Sequence, residues 1–155
     1  MKKIFTISFL ALIIDQIIKI LVSFYLPIGK SSKIINNFFY LTYVKNTGAA
    51  FSMLKGYRFI LIIITIVFLI FLYKYLQKIN KFTTTESICY GLLLGGVLGN
   101  LFDRIIYGYV IDYLDFLIIS YDFPIFNLAD TFIVCSCFLL LIKSFKEDIK
   151  HENWS

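Results

Sequence analysis

Long apolar runs, separated by short polar stretches, dominate the chain. Four of these runs are long enough to cross the hydrocarbon core of a bilayer, which is roughly 30 Å thick, as helices. They cover about residues 4–26, 59–76, 86–101 and 128–145. We therefore predict a membrane protein that is mainly α, with four transmembrane helices in a single domain over residues 1–155. Loops 27–58 and 102–127 then lie on the same side of the membrane.

The N-terminal segment MKKIFTISFLALII also has the form of a secretory signal peptide, with two lysines before a short apolar core. No A-x-A-like cleavage site follows it, and the apolar run resumes after Asp15 and Gln16 to a full spanning length. We expect this segment to be retained as the first membrane helix. A removed leader is the alternative.

Loop charge favours one orientation of the four spans. The termini and the 77–86 loop share one side and hold eight lysines, including those at the inner ends of the spans, whereas the two opposite loops hold six Lys or Arg residues. Because positive residues are enriched in cytoplasmic loops, this difference favours cytoplasmic termini.

The two outer loops carry residue types that favour β-strands. FFYLTYV at 38–44 is free of breakers, and KNTG follows it as a turn. A second run of this kind covers 107–126 and contains YVIDYLDF. Because aromatic side chains prefer the boundary between lipid and water, we predict a small β-sheet platform on the outer face.

The third span carries glycine at every fourth position, at Gly91, Gly95 and Gly99. Such a GxxxGxxxG face lets two helix backbones approach closely. We predict that this face packs against another span.

Composition supports a membrane protein and excludes several other classes. The chain is 59% hydrophobic and 16% charged, with a mean hydropathy of +0.83, far from the values of soluble domains. The net charge of +5 is spread over the ends of the spans, so we predict no nucleic-acid binding. The three cysteines lie in apolar runs without a CxxC pair, and no nucleotide-binding motif is present. We therefore predict no metal site and no cofactor.

Ionisable residues inside membrane spans are costly and mark structural or functional sites. Asp15 and Lys19 are spaced i, i+4 in the first span, so they share a helix face, and a self-neutralising pair is the simplest interpretation. In GNLFDR, Asn100 can hydrogen-bond to a neighbouring helix. Asp103 and Arg104 are expected where the third helix meets water.

FNLAD, at 126–130, has both a structural and a functional interpretation. Asn127 is well placed as the N-cap of the fourth helix, which makes Asp130 the N3 residue of a capping box. Asp130 can equally project into a site that faces Asp112, since a helix N-terminus stabilises a negative charge. Asn46, in KNTGAAF, has a simple interpretation as a turn residue.

Once the other catalytic groups are excluded, a pair of carboxylates is the catalytic arrangement that remains. The only histidine, His151, lies in the polar C-terminal tail, so a Ser-His-Asp triad is excluded, and no cysteine has a plausible base. Two neighbouring carboxyl groups share one proton, so that one activates a water and the other donates to a carbonyl oxygen. We expect Asp112 to carry that proton and Asp115 to be a bystander, because the N-terminus of the fourth helix favours ionised Asp130.

Five motifs in this order make the chain similar to the lipoprotein signal peptidases (signal peptidase II). They are DQIIK at 15–19, NTGAAF at 46–51, GNLFDR at 99–104, VIDYLDF at 110–116 and FNLAD at 126–130. The resemblance implies a membrane aspartic endopeptidase of the bacterial cytoplasmic membrane, with its active site at the extracytoplasmic face. Its substrates would be prolipoproteins, cut before a cysteine that carries diacylglycerol.

The same resemblance implies the site residues and partners. The catalytic pair corresponds to Asp112 and Asp130. The residues that shape the site or bind substrate correspond to Asp15, Lys19, Asn46, Gly48, Asn100, Arg104, Asn127 and Ala129. The implied partners are prolipoprotein, membrane phospholipid and globomycin-type inhibitors, and we expect a monomer. The mild departures from the family pattern, Leu128 and Tyr113, change no titrating group.

Two other functions are compatible with the composition. Intramembrane Asp–Lys pairs also mark ion paths, so a small transporter is one alternative. A membrane assembly factor that docks through its glycine face is the other. A transporter predicts polar groups through the whole depth of the bilayer, whereas here they gather toward the outer face.

Overall fold

The computed structural model describes residues 1–49, 53–119 and 121–152 of the chain, with side chains described to residue 146. Four helices and four strands alternate along this part of the chain. The elements are α1 (Lys2–Tyr25), β1 (Ser31–Ile35), β2 (Phe39–Asn46), α2 (Arg58–Gln77), α3 (Thr84–Ile106), β3 (Val110–Ile118), β4 (Tyr121–Asp122) and α4 (Leu128–Glu152).

The four helices are the predicted spans. Each is long and apolar enough to cross a membrane, with α4 qualifying over Leu128–Lys146. The mainly α membrane fold is therefore confirmed. The helices extend beyond the predicted spans: α3 continues to Ile106 rather than ending near residue 101, and α4 continues past residue 145. In the last turn of α3, the carboxyl of Asp103 is buried and forms an ion pair with Lys19 instead of being solvated.

The outer loops form one antiparallel sheet in the order β1-β2-β3-β4. The two predicted β-runs supply β2, β3 and β4, and the predicted platform is confirmed. β1 was not predicted. All five of its residues are exposed, so this edge strand lacks the alternation of apolar and polar positions that marks a half-buried strand. Between Leu41 and Val44 the pairing of β2 with β3 shifts register, and beyond this bulge Asp112 lies opposite Val44.

The glycine face of α3 packs against α1, as its spacing predicts. A Cβ atom added to Gly91 would lie 2.6 Å from the Cβ of Ile7, and one added to Gly95 would lie 2.6 Å from the Cβ of Ala11 and 2.7 Å from the carbonyl oxygen of Ser8. Such distances leave no room for a side chain. Gly96 packs similarly against α4, where the carbonyl oxygen of Ala129 lies 2.5 Å from the added atom.

Ion pairing and capping hold the opposite end of the bundle. Thr83 and Glu86 form a capping box at the start of α3. Lys143 of α4 forms an ion pair with Glu86 at 2.6 Å. The two ends of the α3–α4 pair are thus held by different interactions. The Lys143–Glu86 ion pair holds the end far from the sheet, and close backbone packing of Gly96 on Ala129 holds the end near it.

We expect Gly95→Ala to destabilise the protein although alanine is the better helix former. The added methyl group meets backbone atoms of α1, and overpacking of this kind costs about 1–3 kcal/mol. The apparent melting temperature in detergent should fall by roughly 3–10 °C. Ile88→Val, which removes one carbon from an exposed side chain of the same helix, is the control and should leave it unchanged. An unchanged or raised melting temperature for Gly95→Ala would contradict the packing described above.

Candidate active site

A buried ammonium group lies where α1 meets the outer half of α3. Lys19 is 1% exposed, and its Nζ forms ion pairs with Asp15 at 2.8 Å and with Asp103 at 2.8 Å. The same nitrogen donates to Oδ1 of Asn100 at 3.0 Å. These three contacts match the three N–H bonds of an ammonium group. The predicted pairing of Asp15 with Lys19 is therefore confirmed, but it is part of a larger cluster.

Asp103 is the main residue that sequence reasoning misplaced. It was expected at a solvated helix end, yet its side chain is 0% exposed. Besides Lys19, its carboxyl accepts from Nε2 of Gln16 at 2.8 Å and from the backbone N–H of Ile111 at 3.3 Å. Asp103 thus links α1, α3 and β3. Its position continues the four-residue spacing of Gly91, Gly95 and Gly99, which is the signal that places it on the face toward α1.

The N-terminus of α4 is anchored by side chains from three other segments. Asp130 donates its backbone N–H to Oδ1 of Asn127 at 2.9 Å and accepts from the Asn127 backbone N–H at 3.2 Å, which confirms the predicted capping box. The N–H of Ala129 donates to Asp15 at 3.0 Å, and that of Leu128 donates to the Tyr113 hydroxyl at 3.2 Å. The free N–H groups of the first turn are thus paired within the protein.

A short backbone bridge brings the start of α4 beside β3. Leu114 donates its N–H to the carbonyl of Phe126 at 2.8 Å, and Phe126 returns a bond to Leu114 at 3.1 Å. Asn127 follows directly, so its side chain lies within reach of Asp112 on the strand. Asp112 and the helix that carries Asp130 are held together by this bridge.

Both oxygens of Asp112 accept hydrogen bonds from amides. Asn127 donates to Oδ1 at 2.6 Å, and Asn46 donates to Oδ2 at 2.9 Å. The side chain is 3% exposed. Burial and repulsion from the neighbouring Asp130 carboxylate raise the pKa of Asp112 to about 7, although the two amide donors oppose the shift. Asp112 therefore retains its proton close to neutral pH.

Asp130 lies on the other side of the same amide network. Its Oδ1 accepts from Nδ2 of Asn100 at 2.7 Å, while its Oδ2 takes part in the capping box. Asn100 Oδ1 in turn accepts from Lys19 and, at 3.2 Å, from Asn127. Asn100 and Asn127 therefore connect the carboxyl groups of Asp112 and Asp130 to the ammonium group of Lys19. In these hydrogen bonds and ion pairs, Lys19 itself contacts neither of the two carboxyl groups.

The segment after β2 is attached to the site by Arg104. Its guanidinium donates to the carbonyl of Gly48 at 3.0 Å and to that of Asn100 at 3.4 Å. Gly48 donates its own N–H to Oδ1 of Asn46 at 2.9 Å. Asn46 was predicted as a turn residue, but it is the last residue of β2, paired with Val110 of β3, and its side chain bonds both to Gly48 and to Asp112. Arg104, predicted at a solvated helix end, is partly buried and bonded to the protein.

Asp115 points away from this network. Its carboxyl accepts a hydrogen bond from the Thr42 hydroxyl on β2. Asp115 is three positions after Asp112 along β3, and an odd offset places two side chains on opposite faces of a strand. The structure thus gives Asp115 a partner in the sheet and places it outside the site.

Asp112 and Asp130 line one cavity of about 450 Å³. Asn46, Asn100 and Arg104 line it as well. Its remaining wall is mostly apolar and comes from the 123–126 segment and from α4, including Ile133 and Val134. The cavity therefore joins a polar floor to a wall that continues along a membrane-spanning helix. Ala129, which follows Asn127 and Leu128 at the start of α4, is fully buried.

The fold and the site define an integral membrane protein with two carboxyl groups in one cavity, an arrangement suited to a membrane hydrolase. Residues 7–146 match the family model described as signal peptidase (SPase) II. The chain belongs to the signal peptidase II family. The peptidase interpretation is thereby confirmed, and neither the transporter nor the assembly factor is supported.

Relatives of known name and structure agree with this assignment. The chain is 40% identical over 145 residues to the lipoprotein signal peptidase of Halothermothrix orenii, covering 94% of this chain and 97% of the relative. It is 36% identical over 151 residues to that of Anoxybacillus flavithermus, covering 97% and 90%. Two structures of bacterial membrane enzymes solved in meso superpose with TM-scores of 0.88 and 0.84, each at 34% identity. The first covers 96% of this chain and 90% of its own, and the second covers 94% of both.

We expect Lys19→Met to destabilise the protein strongly, because it leaves Asp15 and Asp103 buried without a cation. Breaking a buried ion pair costs about 3–5 kcal/mol. Chemical or thermal unfolding in detergent measures the loss, and Lys33→Met on the exposed strand β1 is the matched control. Adding Asp103→Asn to Lys19→Met should recover part of the loss, since one uncompensated carboxylate disappears. Strictly additive losses would show that the two groups are not coupled.

Proposed function

We propose that this protein removes signal peptides from prolipoproteins as a membrane-embedded aspartic endopeptidase. Family membership supports the activity, and one observation supports the mechanism. Asp112 and Asp130 line a single cavity, each held by asparagine amides, at the end of the bundle that faces the sheet. We propose these two residues as the catalytic pair.

In this proposal the two carboxyl groups share one proton, since two neighbouring charges in a buried site repel each other. Ionised Asp130 takes a proton from a water molecule, which attacks the carbonyl carbon of the scissile peptide bond. Protonated Asp112 donates to the carbonyl oxygen as the tetrahedral intermediate forms. Collapse of the intermediate breaks the C–N bond, and Asp130 passes the proton that it took from water to the departing nitrogen. Asp112 recovers its proton from a hydroxyl group of the intermediate as the carbonyl forms again. The raised pKa of Asp112 supports its role as the initial proton carrier.

The surrounding residues keep both groups in position. Asn46, Asn100 and Asn127 donate to the carboxyl oxygens, and Asp15, Lys19 and Ala129 fix the helix ends that carry these donors. Arg104 bonds to Gly48 and so holds the residues directly after β2 at the edge of the cavity. We propose these eight residues as positioning or substrate-binding groups of the site.

The position of the cavity suits a lipid-modified substrate. A cysteine that carries diacylglycerol keeps its acyl chains in the membrane, so the bond to be cut lies near the interface. Asp112 belongs to the sheet outside the spans, while Asp130 lies in the first turn of a span. We propose that the sheet faces the extracytoplasmic side of the bacterial cytoplasmic membrane, with cytoplasmic termini, as the loop charges suggest.

Partners follow from the same proposal. Both carboxyl groups come from one chain, so a monomer contains the whole site. Membrane phospholipid surrounds the spans, and prolipoprotein enters from it. Globomycin-type compounds are expected to inhibit by occupying the same cavity.

We expect Asp112→Asn and Asp130→Asn each to lose cleavage, because an amide neither holds the shared proton nor activates water. The loss should be about 10²–10⁴-fold or more. Asp115→Asn, an identical change on the same strand, should retain most activity because its partner is Thr42. The assay is cleavage of a diacylglyceryl-modified prolipoprotein, with melting curves to verify folding. Loss in Asp115→Asn alone, with the other two active, would overturn the assignment.

The pH profile tests the shared proton. The pKa of Asp112 in the free protein is raised to about 7, so kcat/KM should fall as pH rises through this value and the last proton leaves the pair. Asn46→Ala removes a donor that stabilises ionised Asp112, which should move the falling limb to higher pH. Thr42→Ala is the control and should leave the limb in place. A limb that stays fixed or moves to lower pH in Asn46→Ala would contradict the assignment.

A further inference from the structure

A second cavity, of about 430 Å³, adjoins the candidate active site. We name it the basic groove. It is lined by Val44, Lys45, Asn46, Thr47, Lys55, Asp112, Pro124 and Ile125. Four of these residues, Asn46, Asp112, Pro124 and Ile125, also line the first cavity. The two spaces therefore meet at Asp112, where the scissile bond is proposed to lie.

The two cavities differ in chemistry. The first is bounded by apolar side chains of the 123–126 segment and of α4, a membrane-spanning helix. The basic groove is bounded by the end of β2 and the loop after it, outside the spans, and carries two lysines. A peptide that crosses Asp112 passes from a lipid-facing space into a charged, water-facing one.

The two lysines are available to a ligand. Lys45 and Lys55 are exposed, and among the residues that the structure describes neither forms an ion pair. Lys45 Nζ lies 4.5 Å from the centre of the Tyr109 ring, which orients the side chain without neutralising its charge. Nothing among the described lining residues balances these charges except Asp112, which shares its proton in the proposed mechanism.

A prolipoprotein has three parts near the cut: the signal peptide, the acyl chains and the mature polypeptide. The first two lie in the membrane, and only the mature polypeptide continues into water. We propose that the basic groove binds the first residues of the mature polypeptide after the lipid-bearing cysteine, and that it favours acidic side chains there. This inference rests on the proposed function and extends it to the choice among substrates.

The physical reason is charge complementarity over a short distance. Exposed ion pairs contribute modest free energy and are screened by salt, so we expect a preference and not an absolute requirement. A basic residue at the same place meets two uncompensated ammonium groups, which adds repulsion to the loss of attraction.

The test uses the full-length protein in phosphatidylcholine vesicles and three synthetic lipopeptides. They share a signal segment and a diacylglyceryl-cysteine and differ only in two residues after that cysteine, which are Glu-Glu, Gln-Gln or Lys-Lys. At low salt, kcat/KM should be about 3- to 10-fold higher for the acidic than for the basic peptide. Salt at about 0.5 M should remove most of the preference.

Reversing the charge of the two groove lysines tests whether they cause the preference for acidic peptides. The double variant Lys45→Glu, Lys55→Glu should invert the order of the acidic and basic peptides. Lys33→Glu, the same change on the exposed strand β1 outside both cavities, should keep the wild-type order and rate. Melting curves verify that the variants are folded.

The outcomes separate this inference from the proposed function. Failure of the wild type to cleave any of the three lipopeptides overturns both. Cleavage with equal kcat/KM for all three, or a preference that the double variant leaves intact, overturns the groove inference alone. A second series of vesicles contains increasing fractions of phosphatidylglycerol. Rates that follow this fraction of anionic lipid instead of peptide charge would identify the groove as a lipid headgroup site and overturn the inference too.

Discussion

The structure depends on a single buried cation, the ammonium group of Lys19. An ion in an apolar interior is costly unless its hydrogen bonds and its charge are both satisfied. The carboxylate of Asp15 on α1, together with the carboxylate of Asp103 and the amide oxygen of Asn100 on α3, satisfies the charge and the hydrogen bonds of Lys19. These contacts require α1 and α3 to lie very close. Glycine at positions 91, 95 and 99 makes that approach possible, and Asp103 is the next residue on the same face.

The cluster around Lys19 also affects the protonation and the orientation of the two proposed catalytic carboxyl groups. Asp15 and Asp103 take up the charge of Lys19, whereas Asp112 and Asp130 are oriented by asparagine amides. A direct ion pair with Lys19 would favour the ionised form of either carboxyl and remove the shared proton. Neutral donors fix orientation with less effect on protonation. The separation of the cation from the pair is therefore consistent with general acid–base chemistry.

Much of this was predictable from sequence, because its causes are local. The length of the apolar runs predicts the spans, and the four-residue spacing of glycine predicts the close contact of α3 with another helix, which is α1. The three-residue offset between Asn127 and Asp130 predicts the N-terminal cap of α4. The Asp15–Lys19 pair follows from the same periodicity.

The rest depends on contacts between distant segments. Asp103 has a simple local interpretation as a solvated residue, and its burial and its hydrogen bond with Gln16 follow only once α1 and α3 are docked. β1 is an exposed edge strand that pairs with β2 but buries no face, so hydrophobic pattern does not mark it. The cavity and the basic groove exist only where the end of β2, β3 and the segment before α4 meet, and no single stretch of sequence encodes that junction.

The helix α2 lies outside the candidate site and differs in its surroundings from the other three helices. Most of its apolar side chains are exposed in the isolated chain, which is the expected state for a helix solvated by lipid. None of the described residues that line the two cavities belongs to it. Its clearest polar link is Arg58, which donates to the carbonyl of Ile105 at 2.7 Å and so pairs an otherwise free group at the end of α3. That end leads through Gly108 into β3, so α2 contributes to the position of Asp112 from a distance while α1, α3, α4 and the sheet form the site itself.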